Sequence, residues 1–502
     1  MEQASADCVA LDARSLVVVG ADDFWTVGRR FQEFTERNLQ GGREGPQRTQ
    51  RRIASALLDA VQRRLADTAG LGQRGQGNPG LGTQSVHGLA YHLRRVHVYQ
   101  DTAIDVPVDR TRWGSAMTVS RLREIPGIGV DVVGDSADAT GDPSFLRLEN
   151  LDTDIRPPEV ALAATRAAID DDAANSYLPF QGHRSLRTAA AAHVGRIARR
   201  TYDPDTECVS VAGGLNGILN TLLATVEPGQ EVVLCDPIYA GLVNRVRLVG
   251  GVPRFVPAEV TENGWTVDPE RLADAVGPQT AAVLMMGPAM PTGLVLDDTH
   301  WSALAAACER YDAWLIYDAA MERLRFDGLG PSHPATHEAL APRTITVGSA
   351  SKELRLIGWR VGWVVGPADI IGDIRLVGMT NVVCQVGLAQ NAVAAALNAV
   401  DADADVATAT AEWRRRSDTV LTQLASYPVI RPQGGWSMLL ETRPLGLSPS
   451  ELSHALFHRA QVAATPMDGW GPSGQHFLRI VFANESVDRL EQLGDRFQLA
   501  LR

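Results

Sequence analysis

"SASKELRLIGWRVGW" (residues 349–363) contains Lys352, the only lysine in a chain of 502 residues. Every other member of the 47 Lys+Arg is arginine. A guanidinium stays protonated in proteins, whereas a lysine amine can lose its proton and attack a carbonyl to form a Schiff base. A chain that uses arginine everywhere else marks this position as one that needs an amine. Lys352 follows the apolar run "TITVGS", with Ser349 and Ser351 beside it and Arg360 beyond Gly358. Two hydroxyls and a guanidinium close to an amine form a natural grip for phosphate.

Working outward, short apolar runs recur: "CVSVA", "EVVLC", "AAVLMM", "AWLIYD", "TITVGS" and "GWVVG". Helical stretches such as "RLADAVG" and "DTHWSALAAACERY" separate them. Buried strands alternating with amphipathic helices predict an α/β domain with a mainly parallel sheet flanked by helices. Ligands of such sheets gather at the carboxyl ends of the strands. Three of those ends carry informative residues. Asp318 closes an otherwise apolar strand and needs a cationic or hydrogen-bonding partner. Gly213 and Gly214 lead into a helix whose first N–H groups can cradle phosphate. Tyr239, in "CDPIYAG", offers a flat aromatic face. Amine, carboxylate, phosphate nest and aromatic plate together describe a site for pyridoxal 5'-phosphate (PLP).

Composition and charge narrow the alternatives. A net charge of −12 and a pI near 5.4 argue against a nucleic-acid binder. No uninterrupted apolar run reaches the roughly 18 residues of a membrane span. The five cysteines lie far apart without CxxC spacing, which reads as reduced thiols and not a zinc site, so no metal is expected. The N-terminus has acidic residues where a signal peptide needs basic ones, so a cytoplasmic protein is expected. Residues 1–110 read as a largely helical extension with a Gly-rich linker at 71–85. Residues 111–160 read as a segment joining the small domain, 161–385 as a large PLP-binding domain, and 386–502 as a smaller α/β C-terminal domain. No catalytic motif is found in the extension.

From about 112 to 502 the chain resembles the class I/II aminotransferases, a family of fold-type-I PLP enzymes. The match is carried by S-x-S-K followed by G-x-R-x-G, here Ser349, Ser351, Lys352, Gly358, Arg360 and Gly362. The resemblance implies that Lys352 forms the Schiff base with the cofactor. It makes Ser349, Ser351, Arg360 and the turn Gly213–Gly214–Leu215 the phosphate ligands. Asp318 is then the partner of the pyridine nitrogen, and Tyr239 the residue stacked on the ring. "YLPFQGHRSLR" is similar to a family stretch whose tyrosine, here Tyr177, reaches the phosphate of a neighbouring subunit. A homodimer is therefore implied. "HFLRIVFA" puts Arg479 in the place of the arginine that clamps the substrate α-carboxylate. "LENLDTDIRPPE" lacks the glycine that the family often places before its Pro-Pro stretch on the substrate side, and has Asn150 nearby instead.

Two departures concern one atom of the cofactor. The family usually shows N-P-x-N-P-T-G, and its second asparagine donates to the 3'-oxygen; "GPAMPTG" has Met290 there. The tyrosine usual three residues after the aspartate is Met321. Thioethers donate nothing. Without those donors the Lys352–cofactor imine is expected to hold its proton across neutral pH.

The reading is thus a PLP-dependent enzyme that acts on an α-amino acid, aminotransferase-like. The rival is a non-transaminating PLP enzyme of specialised metabolism, performing β- or γ-elimination, replacement or ring closure, including on S-adenosylmethionine with a second small-molecule substrate. A regulatory module built on the same fold is a third reading, though no winged helix-turn-helix pattern is evident in 1–110.

Overall fold

The computed structural model describes residues 120–502, apart from 124 and 126. The expected extension 1–110 and its linker lie outside the described residues.

Seven strands form the main sheet: β1 (Cys208–Val211), β2 (Glu231–Asp236), β3 (Val252–Pro257), β4 (Thr280–Met286), β5 (Trp314–Asp318), β6 (Thr344–Ser349) and β7 (Gly362–Val365). Their spatial order is β1-β7-β6-β5-β4-β2-β3. Neighbours from β3 through β6 run parallel, while β7 is antiparallel to both β6 and β1. Residues 350–361, which join β6 to β7, form a short 3-10 turn at Ile357–Trp359 and no crossover helix, so the chain returns antiparallel. That short connection holds Lys352 in place at the sheet's edge of chemistry.

Successive residues of the strands serve opposite faces, as pleating requires. Val232, Leu234, Ala282 and Leu284 enter one apolar core. Val233, Cys235, Val283 and Met285 enter the other. A sheet buried on both sides explains why its strands read as continuous apolar runs. β3 (VPRFVP) did not read as a strand, because it lies at the sheet edge with exposed and half-buried residues alternating.

The helix Gly214–Thr225 follows β1, and Ala240–Leu248 follows β2. Asp298–Tyr311, after β4, starts on a capping box between Asp297 and His300. The Ala-rich helix Gly387–Asn398 and the long helix Ala402–Gln423 come later in the chain.

A second, antiparallel sheet contains β8 (Val429–Ile430), β9 (Ser437–Glu441), β10 (Thr465–Pro466) and β11 (Phe477–Val481) in the order β8-β9-β11-β10. Arg479 sits mid-strand on β11, opposite Leu439 on one side and Thr465 on the other. Nearby, Leu146–Arg147 pairs with Val462–Ala463, and Leu148 O accepts the Val481 N–H at 2.9 Å. This pairing carries the chain at 149–152 past Arg479. Among the described residues no helix is long and apolar enough to cross a membrane, and no His/Cys/Asp/Glu group could hold a metal ion.

Candidate active site

A cup forms where β1, β6 and the loop 350–361 meet. Gly213 has φ 84°, and a Cβ there would stand 2.7 Å from Arg360 Nη2. At Gly214 a Cβ would stand 3.1 Å from Ser349 Cβ. Glycine is therefore needed twice, once for the left-handed backbone and once for close approach. The two residues open the helix Gly214–Thr225, whose leading N–H groups face outward from its positive end. Arg360 itself adopts a left-handed conformation, φ 54°, unusual for a non-glycine residue. Its Nη1 donates to Ser351 Oγ at 3.3 Å and to Ile357 O at 2.8 Å. Ser351 N–H donates to Ser349 Oγ at 3.2 Å. Leu215 packs its side chain against the core, and its carbonyl accepts from Arg245 Nε at 2.8 Å. Burial pulls the Arg245 pKa down, while Tyr239 and Asp318 oppose that shift.

Asp318 ends β5 with 6% of its surface exposed and accepts the Ala320 N–H at 3.1 Å. Burial pushes its pKa up to about 6, against the pull of that N–H, Lys352 and Arg245. Lys352 is displaced the other way. Burial lowers its pKa to about 7, Arg479 and Arg360 add to the lowering, and Asp152 and Asp318 oppose it. The amine donates to Leu151 O at 2.8 Å and lies 4.8 Å from the centroid of the Trp436 ring.

Tyr239 caps the helix Ala240–Leu248, and its N–H donates to Met290 O at 3.1 Å. Its ring lies over Gly241, where a Cβ would meet Cε1 at 2.4 Å. The Trp470 ring meets it edge-on, 5.3 Å between centroids. Trp470 also covers Arg479, with Cζ 4.7 Å from the ring centroid. Arg479 is 1% exposed, and burial lowers its pKa to about 10. Its Nη2 donates to Glu149 O and to Thr465 Oγ, and its Nε has no partner among the described residues. Met290 Sδ is 3.6 Å from Arg479 Nη1. Met321 is buried in the same core as Met290, and a Cβ at Gly435 would stand 3.5 Å from its sulfur.

Two of the residues singled out in the sequence stand apart. Tyr177 is 87% exposed. Asn150 is exposed, and its carbonyl accepts the Asp152 N–H at 2.8 Å. The segment touches the site through its neighbours instead, Glu149 O on Arg479 and Leu151 O on Lys352. Sequence reasoning did not find Arg245, Trp436, Trp470 or Asp152. Arg245 and Asp152 had no motif to mark them, and no local signal sets the two tryptophans apart from ordinary core residues.

Comparison with known proteins agrees with this geometry. The sequence profile described as aminotransferase class I and II matches residues 146–497. Over 400 residues the chain is 32% identical to the probable N-succinyldiaminopimelate aminotransferase of Mycobacterium tuberculosis, covering 76% of this chain and 99% of that one. It is also 32% identical to the arginine–pyruvate transaminase of Pseudomonas aeruginosa over 321 residues, 63% of this chain and 80% of that one. The solved structure of the Mycobacterium tuberculosis enzyme aligns with a TM-score of 0.70 at 31% identity, covering 76% of this chain and all of that one. That of Thermus thermophilus aspartate aminotransferase with maleate aligns with a TM-score of 0.71 at 27% identity, covering 76% and 99%. The chain is thus a PLP-dependent enzyme of aminotransferase type, and it belongs to the class I and II aminotransferase family.

Proposed function

We propose that this chain moves the amino group of an α-amino acid to a 2-oxo acid, with Lys352 as the amine that engages the cofactor. PLP, when bound, supplies a carbonyl to that amine and a protonated ring that withdraws electrons from the substrate α-carbon. The residues fit it. The space that a side chain at Gly213 would fill is kept clear beside Arg360, which suits a phosphate held by Gly213, Gly214, Leu215, Ser349, Ser351 and Arg360. Asp318 is a buried carboxylate whose raised pKa reflects the want of a cationic partner, and a protonated ring nitrogen answers that want. Tyr239 forms the flat wall for the ring, with Met290 and Met321 lining an apolar one.

Arg479 holds the substrate α-carboxylate, for which its unpartnered Nε is ready. Asn150 and its neighbours close the substrate side. Lys352, with a pKa near 7, can take the α-proton and return it at neutral pH. The exposed Tyr177 supports a homodimer in which it reaches the neighbouring subunit's cofactor. The free thiols of Cys208, Cys235, Cys308 and Cys384 support a cytoplasmic setting.

One observation carries the reading: the amine of the chain's single lysine bonds Leu151 O at 2.8 Å, two residues from the Glu149 O that the buried Arg479 bonds. The test is to load the protein with PLP, add single amino acids, and follow both the cofactor absorbance and the 2-oxo acid formed. One oxo acid per cofactor converted to the pyridoxamine form is expected, and none with Lys352→Arg. Loss of the amino acid without the pyridoxamine form overturns the proposal.

A further inference from the structure

Asp236 closes β2, three residues before Tyr239. Its carboxylate is 2% exposed and is held by Ser473. The Ser473 N–H is shared between Oδ1 and Oδ2, at 3.1 Å each, and Ser473 Oγ donates to Oδ2 at 2.6 Å. The loop also presses on the carboxylate through Gly471, which has φ 96° and leaves no room for a Cβ against Oδ1. Only glycine combines that backbone with so close an approach.

The loop held in this way is compact and carries Trp470. Trp470 N–H donates to Met467 O at 3.2 Å, Gly474 N–H donates to Gly471 O at 3.2 Å, and Trp470 O accepts the Ile238 N–H at 3.1 Å. Ser473 lies in the 3-10 turn Pro472–His476, which runs directly into β11 and Arg479. Asp236 therefore grips the chain between Trp470 and the strand that bears Arg479. The guanidinium has few other supports. Its Nη2 bonds Glu149 O and Thr465 Oγ, while Nη1 meets the Met290 sulfur at 3.6 Å and Nε has no partner among the described residues. Bonds at one nitrogen leave the plane of the group free to tilt, and the face of Trp470, 4.7 Å from Cζ, limits that tilt. A carboxylate taken in two parallel hydrogen bonds depends on the plane.

We infer that Asp236 is a positioning residue for the substrate α-carboxylate: by holding Ser473 it seats Trp470 on Arg479 and fixes the plane of the guanidinium. The inference rests on the transamination reading, in which Arg479 receives that carboxylate. Asp236 touches neither substrate nor cofactor in this role, so its effect falls on amino-acid binding and not on cofactor attachment.

The test uses the PLP-loaded protein with whichever of L-alanine, L-glutamate, L-phenylalanine and L-arginine converts it best. The concentration that half-saturates the change in cofactor absorbance is read together with kcat. Asp236→Asn is expected to raise that concentration roughly fivefold and to change kcat by less than about twofold, because an amide cannot accept at both of its ends. Affinity of the cofactor-free protein for PLP, read by fluorescence, should stay within about twofold, which a general loss of structure would not allow. In a Trp470→Ala background Asp236→Asn should add less than about twofold, since both act through one ring. Ser473→Ala keeps Asp236 and removes the hydroxyl donor. It should show the same pattern at smaller size, and it serves if Asp236→Asn does not fold. Effects of Asp236→Asn and Trp470→Ala that multiply overturn the inference, as does a loss of PLP affinity equal to the loss for the amino acid. Arg479→Lys separates the two claims. Half-saturation unchanged in Arg479→Lys removes the carboxylate from Arg479, and the inference falls with that placement. Half-saturation raised in Arg479→Lys but unchanged in Asp236→Asn overturns only the role of Asp236. No response to any of the four amino acids overturns the transamination reading and the inference with it.

Discussion

The guanidinium of Arg479 lies against the face of Trp470, with Cζ 4.7 Å from the ring centroid. The same ring meets Tyr239 edge-on at 5.3 Å, so one tryptophan contacts both the arginine and the tyrosine. Its own position is fixed from several directions. Trp470 Nε1 donates to Ile128 O at 3.1 Å, and Trp470 O accepts the Ile238 N–H at 3.1 Å. Ser473 Oγ donates to Asp236 Oδ2 at 2.6 Å, which ties the Trp470 loop to the end of β2. Cation–π contacts of this kind contribute about 0.5–2 kcal/mol. Trp470→Ala should therefore raise KM for the amino acid by roughly tenfold with a smaller effect on kcat, and Trp470→Phe should recover most of the loss. Steady-state kinetics with one good substrate checks the split.

Lys352 makes the pH dependence of cofactor loading readable, because no other lysine exists to confuse it. Its pKa near 7 means that the neutral, nucleophilic amine appears around neutral pH and not near 10.5. The rate at which PLP attaches to the cofactor-free protein should rise with pH through about 7 and then level off. Stopped-flow absorbance across pH measures the midpoint; a rate still climbing steeply far above neutrality contradicts it.

Asp318 bears on stability with a definite sign. Its folded pKa, about 6, lies above the ordinary 3.8, so the folded state holds the proton more tightly. Its contribution to stability is present below about 3.8 and is lost as pH rises through about 6. The cofactor-free protein should show this loss in its Tm between those values, and Asp318→Asn should flatten that part of the profile. PLP should restore stability above pH 6 in the unaltered protein more than in the variant, because only a carboxylate can pair with a cationic ring.

Gly213→Ala tests the cup. The added Cβ would meet Arg360 Nη2 at 2.7 Å on a backbone with φ 84°, which an L side chain rarely adopts. The left-handed backbone alone costs about 1–2 kcal/mol, and Arg360 must also move. Affinity for PLP should fall by roughly tenfold or more, with inorganic phosphate competing less well than in the unaltered protein. Fluorescence titration measures both.

Met290 and Met321 offer no hydrogen-bond donor to the wall that they line. The bound cofactor's absorbance should keep its protonated form through neutral pH. Met290→Asn introduces a donor and should shift the titration midpoint downward. Spectrophotometric pH titration of both proteins decides it, and an unchanged midpoint would falsify the assignment of Met290 to that wall.

Much of this protein is legible in one dimension. Strands buried on both faces must be apolar throughout, so "EVVLC", "AAVLMM" and "AWLIYD" announce themselves wherever they lie. The lone lysine is equally local evidence, because arginine cannot replace an amine that must lose its proton. Gly213, Gly214, Ser349, Ser351 and Arg360 stand out in the sequence because they fall on short, contiguous stretches, and the structure brings those stretches together. The edge strand Val252–Pro257 escaped notice because exposure on its outer side removes the apolar signature. Only the tertiary structure placed Glu149 O on Arg479 and Leu151 O on Lys352, across more than 200 residues of chain in the second contact. The same holds for the two tryptophans, Trp436 beside the amine and Trp470 over the guanidinium. Their chemistry depends on which face meets which cation. That is set by the packing of segments far apart in sequence, and no local pattern of residues encodes it.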